Sequence, residues 1–155
     1  MSARPVRGFD YALEPVRRRR EWQLEAAQAE LGRVQRALAE CEADRERVET
    51  ECAAEASVAG RAWSARPDPV AQSHRLAYLA ALQQRRKDVE AEAAELARQV
   101  ADVRRKCLER QRQLDVLDEH RGDALAEHLA EATRRQAVQA DQEWSARAAQ
   151  AGEFQ

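Results

Sequence analysis

Residues 79–117, LAALQQRRKDVEAEAAELARQVADVRRKCLERQRQLDVL, decide the fold of this chain. Their apolar and small side chains recur alternately three and four residues apart, which places them on one face of an α-helix. We call such a face a seam. This seam consists of Leu79, Leu82, Arg86, Val89, Ala93, Leu96, Val100, Val103, Cys107, Arg110, Leu114 and Leu117. An alternation sustained over this length is typical of a helix that pairs with another helix in a coiled coil.

A second seam with the same spacing lies earlier in the chain. Its members are Leu24, Ala27, Leu31, Val34, Leu38, Cys41, Arg45, Val48 and Cys52. Gly60 suits the residue that closes a helix, and Asp68 and Pro69 suit the cap and first residue of the next. The sequence therefore predicts helices at 11–59 and 69–148, joined by a loop at 60–68. Two helices with so short a connection run antiparallel, so the predicted fold is all-α, two long helices forming an antiparallel coiled-coil hairpin.

The two ends of the chain are expected to differ from the seams. Residues 1–10 are predicted to be an irregular N-terminal arm, with Asp10 capping a helix that begins near Tyr11. After Leu117 the apolar positions slip by one residue, near Gly122. Residues 149–155 are predicted to be a disordered tail. Because the second helix is the longer, roughly its last 30 residues lack a helical neighbour; they should be frayed, self-associated or held by a partner.

Composition excludes several classes of function. Charged residues make up 35% of the 155 residues and aromatic residues only 5%, so there is little material for a layered core. The net charge of −2 argues against nucleic acid as a partner. No apolar run of membrane-spanning length and no secretory signal are expected. Three widely spaced cysteines fit neither a disulfide framework nor a zinc motif, which favours the cytoplasm.

No catalytic, cofactor-binding or metal site is expected. His74, His120 and His128 do not combine with cysteines or acids at ligand spacing, and no phosphate-binding loop or nucleophile motif occurs. Cys41, Cys52 and Cys107 fall on seam positions, where cysteine packs as a small hydrophobic residue. The chain is therefore expected to act by binding proteins and not as an enzyme.

Two sets of residues are candidate binding sites. At the open end of the hairpin the candidates are Arg17, Arg18, Arg19, Arg20, Trp22, Leu125, Leu129 and Trp144. At the predicted tip they are Trp63, Tyr78, Leu79 and Leu82, because large aromatic side chains have no deep core to enter there. The alternatives are a solvated, helix-forming surface for the arginines and local packing of the loop for the tip residues.

Three short stretches resemble FliJ-type flagellar export proteins. The first is Phe9-Asp10-Tyr11-Ala12-Leu13-Glu14-Pro15-Val16, followed at once by an arginine-rich helical run. The second is the start of the second helix, where Tyr78, Leu79 and Leu82 follow a proline-containing loop. The third is the ending from Arg134-Arg135-Gln136 to Asp141, with Glu143-Trp144 and Arg147. Injectisome stalk proteins of type III secretion share the same architecture.

The resemblance implies a role in bacterial flagellum assembly. FliJ-type proteins sit in the hexameric export ATPase, link it to the membrane export gate and handle export chaperones. The open end, residues 9–24 and 118–148, would then meet the ATPase, and the tip would meet the gate. The protein would be cytoplasmic and peripheral at the cytoplasmic face of the cell membrane. The alternatives are an injectisome stalk of the same superfamily and a generic homodimeric coiled-coil scaffold.

Overall fold

A computed structural model describes residues 8–152, and this part of the chain is an all-α helical hairpin. Helix α1 spans Glu14–Ala65 and helix α2 spans Pro69–Gly152. Two compact units can be distinguished. In one, the described residues up to Gln23 pack with Arg110 and the residues after it; the other is Leu24–Glu109. The predicted fold class is confirmed. No helix in the described residues is long and apolar enough to cross a membrane.

The unit Leu24–Glu109 is held together by the two predicted seams. Its buried side chains are Leu24, Ala27, Cys41, Val48 and Ala59 from α1, and Leu82, Val89, Ala93, Val100 and Val103 from α2. Leu38 and Leu96 pack partly buried against the cluster of Cys41, Val89 and Ala93. Arg45 is the exception, because it is exposed and its neighbour Asp44 faces α2 instead. Asp44 accepts a hydrogen bond from Arg85 of α2 at 2.9 Å.

Gly60 does not end α1, contrary to the sequence prediction, and the connection between the helices is only residues 66–68. The seam continues in phase through buried Ala59 and half-buried Ala62, so packing against α2 outweighs the weak helix propensity of one glycine. The helix ends at Ala65 because Arg66 precedes Pro67, and a residue before proline is displaced from the helical conformation.

The predicted start of α2 is confirmed. Asp68 Oδ1 accepts hydrogen bonds from the backbone N–H groups of Val70 at 3.0 Å and Ala71 at 3.2 Å. Pro69 takes the first helical position, where a missing N–H has no consequence. Two of the N–H groups that lack partners at a helix start are thereby satisfied.

Both termini of the hairpin differ from the prediction. Helix α1 begins at Glu14, three residues late, because the N–H of Glu14 bonds to the carbonyl of Tyr11 in a tight turn. Residues 8–13 are therefore non-helical. Helix α2 includes residues 149–152, which were expected to be disordered; their alanines favour helix. The rest of the predicted arm and tail, residues 1–7 and 153–155, lies outside the described residues.

Candidate partner-binding surfaces

The four consecutive arginines of α1 split between two faces. Arg17 points towards α2 and bonds to Asp118 at 3.1 Å. Arg20 also faces α2, and donates to the side-chain oxygen of Gln113 at 3.1 Å. Arg18 and Arg19 are exposed on the other side of the helix. Only two of the four candidate arginines are therefore presented to solvent, since the other two hold the helices together.

Glu14 is the centre of the ion pairs at this end. Its carboxylate lies 3.3 Å from both Arg17 Nε and Arg18 Nε and 3.5 Å from Arg121 Nε of α2. Partial burial by itself raises the pKa of Glu14, but the hydrogen bonds from Arg17 and Arg18 and the charges of Arg17 and Arg121 outweigh it. The pKa of Glu14 therefore lies below its ordinary value of 4.5. The same carboxylate raises the pKa of Arg17.

Trp22 is 67% exposed on the outer face of α1. Arg18 and Arg19 precede it by four and three residues, so all three side chains share one surface of the helix. Tryptophan and arginine are two of the residue types enriched in protein–protein interfaces. The structure brings these three candidates together and separates them from Arg17 and Arg20.

Residues 8–13, which we call the clasp, pack against α2. The Tyr11 hydroxyl donates to the backbone carbonyl of Leu117 at 3.3 Å and shares a hydrogen bond with Nδ1 of His120 at 2.9 Å. The Phe9 ring contacts the imidazole of His128, with ring centroids 5.6 Å apart. Tyr11 is only 7% exposed. Gly8 is the first residue of the clasp and has a φ of +81°, a conformation that favours glycine.

The clasp contacts reveal two residues that the sequence analysis did not select, His120 and His128. The sequence predicts that the seam of α2 slips by one residue near Gly122, but the seam does not slip there. It continues in the same three-four alternation through Arg121, Ala124 and His128, all half-buried. Continuing the alternation beyond Leu117 would have placed His128 on the seam. Leu125 and Leu129 pointed to a shifted seam instead, because both are apolar.

Leu125 and Leu129 therefore have different environments. Leu125 is half-buried beside the seam, whereas Leu129 is 46% exposed. Beyond Leu129, every residue to Ala151 is exposed except the half-buried Ala132. Trp144, at 73% exposed, is the most prominent apolar side chain of this segment. The predicted unpaired part of α2 is helical, and its candidate residues are open to solvent.

The four predicted tip residues do not form one surface. Trp63 lies in the last turn of α1 and is 44% exposed. The Tyr78 hydroxyl donates to Glu51 at 2.5 Å, and Glu51 precedes Trp63 by twelve residues, about 18 Å along α1. The hydrogen bond to Glu51, followed by partial burial, raises the pKa of Tyr78. Leu79 is half-buried and Leu82 is buried on the seam.

The four predicted tip residues are spread apart because the connection between the two helices is shorter than the sequence predicts. Because α1 continues to Ala65, the turn between the helices lies several residues after the predicted loop start. The residues near the turn are instead Trp63 and Val70, the latter 69% exposed. Leu82 is not available to a partner, since it packs between the helices.

Comparisons of the chain with protein-family models, with curated protein sequences and with solved structures return no match. Across residues 8–152, no group of three or more histidine, cysteine, aspartate or glutamate side chains is arranged to hold a metal ion.

Proposed function

We propose that this chain is a FliJ-type coiled-coil stalk and chaperone of flagellar type III protein export. It binds the hexameric export ATPase, couples the ATPase to the export gate, and binds export chaperones. In this proposal it acts by binding and carries out no reaction of its own. It works in the cytoplasm, peripherally at the cytoplasmic face of the cell membrane, and without nucleic acid.

The observation that carries the proposal is what the Phe9–Val16 stretch contacts in the structure. This stretch is the first of the three that resemble the family. Its two aromatic side chains pack on α2 through His120 and His128, and its Glu14 forms an ion pair with Arg121. The stretch thus forms the end of the hairpin that the resemblance assigns to the ATPase. Arg18, Arg19 and Trp22 lie exposed just after it, which supports a protein contact there.

The unpaired segment of α2 supports the same assignment. From Leu129 to Ala151 the helix has no described α1 residue against it, and Trp144 is open to solvent. An isolated helix of this length has little stability of its own in water. Enclosure by a partner would supply the missing contacts.

The test is a titration of the purified protein against the export ATPase of the same organism, followed by the ATPase rate and the mass of the complex. We expect hexamer formation and ATP turnover to rise. Truncation after Arg121 should abolish the effect. Truncation after Ala130 is the sharper variant, because it keeps the contacts to His120 and His128 and removes only the unpaired segment.

If the protein does not bind the ATPase and forms a stable homodimer, the proposal is overturned in favour of the generic scaffold. Stimulation of an injectisome ATPase, with none of the flagellar enzyme, would assign the chain to the injectisome stalks. Trp22→Ala should weaken ATPase binding, whereas Val116→Ala, an equally open apolar position on α2, is the matched control.

The gate contact is tested separately at the other end of the hairpin. Trp63→Ala together with Tyr78→Ala should weaken binding to the gate protein while leaving the helical content unchanged. Since Tyr78 pairs with Glu51 away from the turn, Trp63→Ala together with Val70→Ala should weaken it further. Unchanged affinity in both double variants would remove the tip from the proposal.

A further inference from the structure

The turn of the hairpin lies in a basic stretch of the chain. Between Glu55 and Asp88 there is one acidic residue, Asp68, against six basic residues, so residues 56–87 carry a net charge of +5. The whole chain has a net charge of −2. The six basic residues are Arg61, Arg66, Arg75, Arg85, Arg86 and Lys87. Positive charge is therefore concentrated in the part of the chain that contains the turn.

Three arginines beside the turn form no ion pair within residues 8–152: Arg61, Arg66 and Arg75. Arg61 and Arg66 are exposed, and Arg75 is half-buried. Asp68 lies between them in sequence, but its carboxylate accepts hydrogen bonds from backbone N–H groups of α2 instead. Its charge is also favoured by the positive end of the α2 dipole. The positive charge beside the turn is therefore left for a partner to neutralise.

Four apolar side chains are exposed within about 11 Å of the turn, measured along the helices at about 1.5 Å per residue. They are between 41% and 69% exposed, and they are Val58, Trp63, Val70 and Leu76. Val58 directly precedes the buried Ala59, whereas Trp63 directly follows the half-buried Ala62. Since each residue turns the helix by about 100°, the two side chains lie on opposite flanks of α1. The exposed apolar side chains thus surround the end of the hairpin and do not share one face.

Trp63 differs from the other two tryptophans in its charged neighbours. Trp22 and Trp144 each directly follow a glutamate. Trp63 instead follows Arg61 by two residues and precedes Arg66 by three. Tryptophan is enriched at the interface between a membrane and water, and arginine side chains there extend to the charged headgroups. The surroundings of Trp63 therefore match the surface of an anionic bilayer.

The positions along the helices also match a bilayer surface. Trp63 and Val70 lie about 3 Å and 2 Å from the helix ends that meet at the turn, whereas Arg61 and Arg75 lie about 6 Å and 9 Å away. The headgroup layer on one side of a bilayer is roughly 5–8 Å thick. With the turn inserted end-on, the two apolar side chains reach the lower part of this layer while the arginines stay near the phosphates.

The distribution of the apolar side chains favours a membrane over an acidic protein. A protein partner would pair with the arginines equally well, but a groove or a helix covers one face of the hairpin. The opposite flanks of α1 both carry an exposed apolar side chain, Val58 on one and Trp63 on the other. A lipid layer surrounds an inserted end and contacts both flanks together.

We propose that the turn of the hairpin, residues 58–76, binds the surface of a bilayer that contains anionic phospholipids. Trp63 and Val70 enter the headgroup layer, and Arg61, Arg66 and Arg75 bind the phosphates. The turn lies in the surface and does not cross the bilayer. The inference does not rest on the proposed function, because the lipid itself is the partner, whether or not the gate protein also binds the turn.

The first experiment measures binding of the full-length protein to two kinds of vesicle by flotation. One is phosphatidylcholine alone, and the other contains about 30% phosphatidylglycerol to supply the negative surface potential. We expect binding to the anionic vesicles to be about tenfold stronger at low salt, with the difference shrinking at high salt. Equal binding to both vesicles, or binding to neither, would overturn the proposal.

The second experiment follows Trp63 without changing any residue of the turn. Trp22→Phe with Trp144→Phe leaves Trp63 as the one tryptophan of the chain. Its fluorescence should shift to shorter wavelength on the anionic vesicles and should be quenched by lipids brominated near the headgroup end of their acyl chains. Vesicle binding with unchanged tryptophan emission would show that another part of the chain contacts the lipid.

The apolar contacts are tested by Trp63→Ala with Val70→Ala, which should bind the anionic vesicles about tenfold more weakly. The matched control is Leu108→Ala with Val116→Ala, two exposed apolar residues of α2 outside residues 58–76. The control should bind as the parent does. Equal binding of both variants, with helical content unchanged, would remove Trp63 and Val70 from the contact and overturn the proposal.

The charges are tested by Arg61→Gln with Arg66→Gln, which should weaken binding to the anionic vesicles about 20-fold at low salt. Arg104→Gln with Arg112→Gln removes the same charge from exposed positions outside the turn, and should have little effect. An equal loss in both variants would show that binding follows net charge and not the turn.

An acidic protein as the partner has its own outcome. Poly-L-glutamate presents carboxylates without a lipid surface. If the protein binds poly-L-glutamate through Arg61 and Arg66 but does not bind the anionic vesicles, the turn is a surface for an acidic protein and the proposal fails.

These outcomes are separate from those of the proposed function. The vesicles contain no export protein, so a failure to bind them removes the lipid contact and leaves the ATPase titration and the gate variants to decide the role of the chain. Vesicle binding together with a failed ATPase titration has the opposite meaning.

Discussion

The thiol of Cys41 in α1 donates to the backbone carbonyl of Val89 in α2 at 3.5 Å. Both residues belong to a buried cluster that includes Ala93. Burial first, and then the nearby carboxylates of Glu92, Asp44 and Glu42, raise the pKa of the Cys41 thiol. The contact joins the two helices within this buried cluster, and it has a direct chemical consequence.

Cys41 should be alkylated more slowly than Cys52 and Cys107. The thiolate is the reactive form of cysteine. Cys41 is buried and the pKa of its thiol is raised, whereas the other two cysteines are half-buried. Labelling with iodoacetamide at pH 7.5, followed by mass spectrometry of peptides, measures each rate. In concentrated urea all three should react alike. Equal rates in the folded protein would contradict the packing of Cys41 on the seam.

Val89→Ala should cost about 1–2 kcal/mol of the free energy of unfolding, since it removes buried methyl groups from the contact between the helices. The matched control is Val116→Ala, which makes the same substitution at another valine of the same helix. Val116 is 64% exposed and Val89 only 5%, so the control should change stability by less than about 0.5 kcal/mol. Urea unfolding followed by circular dichroism gives both values. Similar costs would show that the seam does not pass through Val89.

Glu14→Gln should lower the free energy of unfolding by about 1 kcal/mol at pH 7, because it weakens the pairs to Arg17, Arg18 and Arg121. A carboxyl whose pKa is lowered on folding stabilises the protein above its unfolded pKa. This contribution is lost as the pH falls through the folded pKa. The difference between the parent and the variant should therefore be full above the ordinary value of 4.5 and vanish at more acid pH.

The control for Glu14 is Glu25→Gln, an exposed glutamate of the same helix with no ion pair among the described residues. Urea midpoints at several pH values measure both variants. A pH-independent loss in Glu14→Gln would show that the ion pairs do not stabilise the fold.

Gly60→Ala should stabilise the protein by about 0.5–1 kcal/mol. Gly60 lies inside α1 with helical backbone, and an added Cβ would meet no atom within 4 Å. Gly8→Ala should have the opposite sign, because the φ of +81° strains any residue with a Cβ. Thermal unfolding of the two variants compares them directly. Destabilisation by Gly60→Ala would contradict the continuation of α1 to Ala65.

The seams could be predicted from the sequence because helix pairing depends on a short-range repeat. Leu82, Val89, Val100 and Leu114 recur with a spacing that fixes which face of α2 is buried, whatever the partner. The cap at Asp68 is equally local, since its hydrogen bonds reach only to Val70 and Ala71. These features were correct in position as well as in kind.

The sequence by itself determined that the chain is a hairpin of two helices and which of their faces meet, because three-four periodicity and a proline-containing connection are encoded locally. Only the tertiary structure decided that α1 continues through Gly60 and what Tyr11, Arg17 and Tyr78 contact. Gly60 remains helical because α2 packs on its neighbours, and Tyr11 leaves the helix because Leu117 and His120 bind it. The contacts of Tyr11 and Arg17 join residues more than a hundred positions apart and that of Tyr78 joins residues 27 positions apart, so no local pattern contains them.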